Sequence, residues 1–185
     1  VLVGVKDEVE RFKPDLMMVQ GDTTSAMAAA LAGFYLRVPV VHIEAGLRTS
    51  SVAAPFPEEL NRRLISQMAT HHFAPTDQAR IHLEKEGVPS TAITVTGNTV
   101  VDSLLQNIER ARSRSFSSAL TNETPLLRDF GEHNNKILLV TLHRRENFGA
   151  GIGSICNALR AIAQRHTDVQ IVFPVHRNPN VSQPV

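Results

Sequence analysis

The chain has 185 residues, 42% of them apolar and 20% charged, with a formal net charge of +1; it is long enough to bury a real core and ordinary in composition for a soluble globular protein. Its basic residues are scattered rather than gathered in a tract, which gives no reason to expect nucleic-acid or membrane binding, and no apolar stretch approaches the ~20 residues that span a bilayer. The single cysteine, Cys156, excludes an intrachain disulfide and predicts a reducing, cytoplasmic setting.

Along the chain, short apolar runs alternate with longer helical periods, the pattern of βαβ units and a parallel sheet. The opening VLVGVKDEVERF predicts a helix. After the breaker Lys13-Pro14, residues 15–20 predict a strand and residues 23–37 an Ala-rich helix capped by a threonine. Residues 38–43 form the next expected strand. Residues 57–69 form a helix with Pro57 at its first position and acids in its first turn, both favourable there. A short strand, HHFAP, precedes a helix over 76–87 with a Thr cap and a Gly stop. Residues 92–98 read as strand and turn, and 99–114 as a helix. The polar, irregular stretch 115–135 is the one clear composition shift and is expected to be a linker. A second α/β set then opens: strand 136–143, helix 152–166, strand 169–175. Domains are therefore expected at 1–114 and 136–185. Cys156 falls in the helical pattern Ile152, Ile155, Cys156, Leu159 and is expected to pack rather than react.

Ligands in open parallel sheets bind beyond the carboxyl ends of the strands, where helix N-termini also point. The residues in that position are Asp22 after the first strand, with His42, Glu44 and Arg48 at and after the second. Asn98, in Gly97-Asn98-Thr99, follows the TVT strand, His143-Arg144-Arg145-Glu146-Asn147 follows the strand after the linker, and His176 and Asn178 follow the last. Each has a bland alternative. Asp22 suits a helix N-cap. Glu44, ending an apolar strand, is either neutralised by Arg48 or held for chemistry. Glu58 and Glu59 suit a helix first turn by dipole alone. His143 with two arginines reads either as an anion site for phosphate, because arginine offers a bidentate fork, or as a solvated charged loop. His71 and His72 are adjacent in a strand and so face opposite ways, which disfavours metal binding. His82, His133 and His166 read as surface positions. Metal-ligand spacing, a Gly-rich nucleotide loop and a serine nucleophile elbow are all missing from the sequence. Acids on one side and an anion clamp on the other suit a phosphorylated, polyhydroxylated substrate.

The segments QGDTTSAMAAALAGFYLRVPVVHIEAGLRT, PFPEELNRRL, FAPTDQAR, TGNTVVDSLL, TLHRRENFG and PVHRNPNV, in this order, closely resemble the non-hydrolysing UDP-N-acetylglucosamine 2-epimerases, from about Asp15 to Val181. The resemblance implies two Rossmann-like domains of the GT-B type, with the nucleotide sugar between them. It implies inversion at C2 of UDP-GlcNAc to give UDP-ManNAc, by elimination of UDP to 2-acetamidoglucal and re-addition. Asp22, Glu44 and Glu58 match the family's functional carboxylates, and His143 its essential histidine by the diphosphate. Which carboxylate removes the proton stays open. Arg144 and His176 match nucleotide-sugar positions; Arg48, Asn98, Arg145, Glu146, Asn147 and Asn178 are further substrate-binding candidates. No redox cofactor and no metal are implied, and the family is usually a homodimer. A hydrolysing epimerase, a GT-B glycosyltransferase and a nucleotide-sugar sensor are the rival readings. The family's Gly-Thr-Arg-Pro-Glu loop and Asp-Ser-Gly-Gly-x-x-Glu-Glu segment have no counterpart among these residues, and TSSVAAPFPEE departs from the family pattern at Ser50 and Ala54. The chain is therefore expected to be an internal fragment, with both domains incomplete and little activity alone.

Overall fold

The computed structural model describes residues 1–112, 136–142 and 147–185, which fall into two compact α/β units, Val1–Ile108 and Glu109–Val185. The expected linker, His133, His143, Arg144, Arg145 and Glu146 lie outside the described residues.

In the first unit, helix α1 (Leu2–Phe12) leads into β1 (Met17–Gln20), α2 (Thr24–Tyr35), β2 (Val40–Ile43), α3 (Glu58–Met68), β3 (His71–Ala74), α4 (Asp77–Lys85), β4 (Ile93–Val95) and all but the last turn of α5 (Thr99–Ala111). The four strands lie in sequential order and every pair is parallel. Strand order that advances one step at a time, with right-handed crossovers, places α2, α3 and α4 on one face of the sheet. Register and the two-residue side-chain period put Met17, Val19, Val40, His42, His72 and Ile93 on a common face. Val19 and Val40 pack there against Ala26 and Ala30 of α2 and Ile65 of α3. Ala74 and Ile93 pack with Ala79 and Leu83 of α4. Ile65 and Leu83 are fully buried, each worth ~2–3 kcal/mol of transfer free energy.

The alanines of α2 let it lie close to the sheet, and Gly33 shows how close. A Cβ there would sit 2.7 Å from Val40 Cγ2. The helix is capped by Thr23, whose hydroxyl accepts from Ala26 N–H at 3.2 Å. The N-cap role considered for Asp22 is thus taken by the next residue, and its carboxylate is left for other partners. Thr76 caps α4 in the same way, accepting from Ala79 N–H at 3.1 Å. Pro57 occupies the N-cap of α3 rather than its first helical position. Gly46 has φ 87°, and a Cβ there would lie 2.3 Å from Ala79 O. Only glycine fits where the loop after β2 crosses α4.

The polar interior is concentrated in one place. The buried polar side chains His42, Glu59, Asn61, Arg62, Ser66 and His72 belong to β2, β3 and α3. On α3 the usual amphipathic order is inverted: Asn61 and Arg62 are buried at 4% and 7% exposure, whereas Leu60 and Leu64 are each 42% exposed. A sheet-facing stripe of this kind is costly unless its groups are paired.

The second unit pairs β5 (Lys136–Leu139) in parallel with β6 (Val169–Val172) through α6 (Ala150–Arg165), and ends in a short α7 (Pro179–Ser182). Leu142, Ile152 and Val181 form its core, with Ile155, Cys156 and Phe173 packed against them. Cys156 packs, as its spacing predicts. The short α7 was not expected; Asn178 caps it by accepting from Asn180 N–H at 3.0 Å, with Pro179 at the first position. Among the described residues no helix is long and apolar enough to cross a membrane.

Candidate active site

Three strand ends of the first unit converge. Gly21 and Asp22 follow β1, Glu44 follows β2, and Asn98 follows β4. Glu44 is half-buried and has φ 66°, a left-handed conformation that glutamate adopts only at a cost of ~1–3 kcal/mol. Its carboxylate accepts from Asn98 Nδ2 at 3.1 Å and lies beside Gly21, where a Cβ would be 3.8 Å from Oε2. One carboxylate therefore spans from the end of β1 to the end of β4. No cation pairs with it among the described residues.

The guanidinium expected to neutralise it faces elsewhere. Arg48 donates through Nε and Nη2 to the two carboxylate oxygens of Glu86, each at 2.7 Å, and also to Ser66 Oγ at 2.8 Å and Leu47 O at 2.7 Å. Glu86 is held below the usual carboxylate range by the hydrogen bond and charge of Arg48. The Arg48 side chain is 7% exposed. It clasps the loop after β2 to the end of α4, and the pairing with Glu44 is corrected: the bidentate geometry available at Glu86 captured it.

The two acids that begin α3 divide sharply. Glu59 is fully buried. Its oxygens lie 2.7 Å from Arg63 Nε and 2.8 Å from Arg62 Nε, and accept from Thr49 N–H at 3.1 Å. Burial pushes its pKa up, but the Arg63 and Thr49 hydrogen bonds and the Arg62 charge outweigh that and hold it below the usual range. Glu58 is half-buried and carries no ion pair or side-chain hydrogen bond among the described residues. Helical spacing places it on one face with Asn61 and Arg62, three and four residues on. Those two residues touch Asp22: Asn61 Nδ2 donates to Asp22 O at 2.9 Å, and Arg62 Nη1 lies 3.5 Å from Asp22 Oδ2. Glu58, Asp22 and Glu44 thus share one end of the sheet, with Arg62 beside Asp22. Glu44 and Glu58 have no cationic partner among the described residues, whereas Asp22 has Arg62 at 3.5 Å.

Beneath α3, His42 donates from Nε2 to Gly21 O at 2.8 Å. A carbonyl can only accept, so that contact selects the Nε2–H tautomer. Burial pushes the His42 pKa down to about 4 despite the opposing bond to Gly21, with Arg48 adding to the fall. His72, beside it in register, is lowered to about 4 by burial and by its neighbours His42, His71 and Arg48. Both rings are neutral at pH 7. His71 faces the other way and meets Thr94 Oγ1 at 3.0 Å. His82, expected at the surface, is partly buried and donates from Nδ1 to Gly46 O at 3.0 Å.

In the second unit, Asn147 is half-buried at the start of the turn into α6, next to Gly151. His176 is exposed after β6, and its Nδ1 accepts from Asn178 N–H at 3.1 Å. Asn178 serves as a helix cap, and its side-chain oxygen is engaged there.

Arg62 and Asn61 are site neighbours that sequence reasoning did not single out, whereas His42 and Glu59 were weighed there without a partner being assigned. A signal existed for both: Asn61 and Arg62 stand four and three residues before buried Ile65, at helical spacing, while Leu60 and Leu64 lie off that face and are exposed.

The UDP-N-acetylglucosamine 2-epimerase family model matches residues 1–185. The chain belongs to the UDP-N-acetylglucosamine 2-epimerase family. It is 49% identical over 192 residues to the UDP-N-acetylglucosamine 2-epimerase of Yersinia pestis, a match that covers all of this chain and 48% of that relative. The crystal structure of the Neisseria meningitidis UDP-GlcNAc 2-epimerase bound to UDP-GlcNAc superposes with a TM-score of 0.92 at 43% identity, over 99% of this chain and 48% of that one. The Methanocaldococcus jannaschii enzyme in complex with UDP-GlcNAc and UDP gives a TM-score of 0.79 at 34% identity, over 99% of this chain and 47% of that one. The chain spans about half the length of the epimerases it matches. Its two units with all-parallel sheets have the α/β architecture of these GT-B-type epimerases.

Proposed function

We propose that the protein to which this chain belongs interconverts UDP-GlcNAc and UDP-ManNAc. The C2 hydrogen of the sugar has no adjacent ring carbonyl to acidify it, so simple deprotonation is very hard. Elimination avoids this: a carboxylate takes the C2 proton while the C1–O bond breaks, and the electron pair leaves with UDP. The product is 2-acetamidoglucal. Re-addition of UDP at C1, with proton delivery to the opposite face of C2, completes the inversion. The process is redox-neutral and calls for no redox cofactor.

In this reading Asp22, Glu44 and Glu58 supply the base and acid. His143, with Arg144, Arg145, Glu146, Asn147, His176 and Asn178, serves the diphosphate and nucleotide, and Asn98 orients Glu44. Arg48 acts through its clasp on Glu86 rather than on substrate. Residues 1–114 and 136–185 belong to two domains joined by 115–135, in a cytoplasmic homodimer. The observation that carries the proposal is Glu44: a strained, half-buried carboxylate with no cationic partner among the described residues, held by an amide beside the Asp22 turn. A site maintained against strain needs a reason beyond packing.

The test is incubation of the complete gene product with UDP-GlcNAc in D2O. UDP-ManNAc carrying deuterium at C2 supports the proposal. Free ManNAc as the sole sugar product would move the protein to the hydrolysing class, and transfer to an acceptor or binding without turnover would reject epimerisation.

A further inference from the structure

We propose that His42 and Asn61 are positioning residues for Asp22, and that they aim its carboxylate by clamping the two consecutive peptide carbonyls of the Gly21-Asp22 turn. The inference rests on the catalytic reading of Asp22 given above.

The turn is short. β1 ends at Gln20, Gly21 takes φ 72°, and Thr23 is already the cap of α2. Between them, Gly21 O accepts from His42 Nε2 at 2.8 Å, and Asp22 O accepts from Asn61 Nδ2 at 2.9 Å. The donors come from different elements, β2 and α3, and their side chains are 0% and 4% exposed. The peptide planes on both sides of the Asp22 Cα are therefore fixed from the protein interior. Arg62 approaches the Asp22 carboxylate itself at 3.5 Å.

A simpler account is that two buried carbonyls needed partners. Two observations argue for more. His42 lies on the buried sheet face between Val19 and His72, with Val40 two residues before it, and its other nitrogen, Nδ1, has no partner among the described residues. A buried imidazole that makes one hydrogen bond is a poor packing choice, yet that bond goes to this turn. Asn61 similarly takes an inward position on α3 while Leu60 and Leu64 face outward. Polar groups are thus buried where apolar ones would be cheaper, at the two points that hold Asp22. A catalytic carboxylate displaced by a fraction of an ångström loses rate through misalignment rather than binding.

The experiment uses the complete gene product with His42→Gln, His42→Asn and Asn61→Leu. Glutamine carries an N–H to about the reach of Nε2; asparagine reaches only the place of Nδ1; leucine keeps the volume of Asn61 without a donor. Expected are turnover within roughly threefold of the parent for His42→Gln, and a fall of about 10- to 100-fold in kcat for the other two, with UDP affinity by calorimetry unchanged. In an Asp22→Asn background both losses should vanish, because nothing remains to be aimed. Crystal structures supply a readout independent of activity: the Asp22 carboxylate should shift or split in His42→Asn and Asn61→Leu, and stay in place in His42→Gln. An unmoved carboxylate in all three, His42→Asn no slower than His42→Gln, or losses that persist with Asp22→Asn would overturn the proposal. A parent protein inert toward UDP-GlcNAc would count against the catalytic reading alone, and the carboxylate position would still decide the clamp.

Discussion

Acid should unfold this protein early, and the cause is the pair of neutral histidines under α3. His42 and His72 sit side by side in register, buried at 0% and 1% exposure, each with a pKa lowered to about 4. In the unfolded chain each titrates near 6.5. Between those values the unfolded state binds protons that the folded state does not, so stability rises with pH and is lost as pH falls from about 6.5 toward 4. For one such histidine the loss at pH 5 is ~2 kcal/mol, and it saturates below pH 4 at ~3 kcal/mol. Two together approach ~4 kcal/mol at pH 5, a large share of the ~5–15 kcal/mol that holds a typical domain. The depressed acids Glu59 and Glu86 act in a lower window. Their stability is present above the ordinary glutamate range and is lost as pH falls through their folded values. The check is urea unfolding of the complete protein, followed by circular dichroism from pH 7.5 to 4.5. The midpoint should fall steadily below pH 6.5, and His42→Gln with His72→Gln should flatten most of that fall. A midpoint that stays level down to pH 5, or an equal slope in the double variant, would refute the assignment of these rings as neutral.

Glu59→Ala should destabilise by about 3–5 kcal/mol, because it leaves Arg62 buried without its carboxylate; thermal unfolding will show it, and a change near zero would mean that Arg62 finds a new partner. Gly46→Ala should cost at least ~2–3 kcal/mol, since the added carbon meets the Ala79 carbonyl and the backbone is left-handed; the yield of folded protein and its melting temperature are the readouts. Arg48→Met should lower the melting temperature with UDP affinity retained, since the Glu86 partner is partly exposed and the loss about 1–2 kcal/mol; a large fall in UDP affinity would restore Arg48 to the substrate. Asp22→Asn and Glu44→Gln should each reduce turnover by about 100-fold or more with nucleotide binding largely kept; retained turnover in either would remove that residue from the acid/base set.

Much of the fold was legible from local signals. Threonine before an alanine-rich period, glycine after a helix, and four-residue apolar runs between them are decided by neighbours within one or two turns, and the parallel βαβ order follows. Because parallel sheets gather their strand ends at one edge, Asp22, Glu44 and Asn98 could be placed together before any contact was known. What the residues alone left open was which polar groups go inside. Glu58 and Glu59 are identical in chemistry and equally suited to a helix first turn; only the docking of α3 buries one against Arg62 and Arg63 and leaves the other half-buried with no ion pair among the described residues. Arg48 stands four residues from Glu44 in the chain, but Glu86 comes from far along it and offers the better fork. Arg62 and Asn61 were passed over because charged and amide side chains on a helix ordinarily face water, and whether they do is fixed by what lies opposite. Secondary structure is set by free energies local to a few residues. The burial of a charge depends on partners that only the packed chain brings within reach.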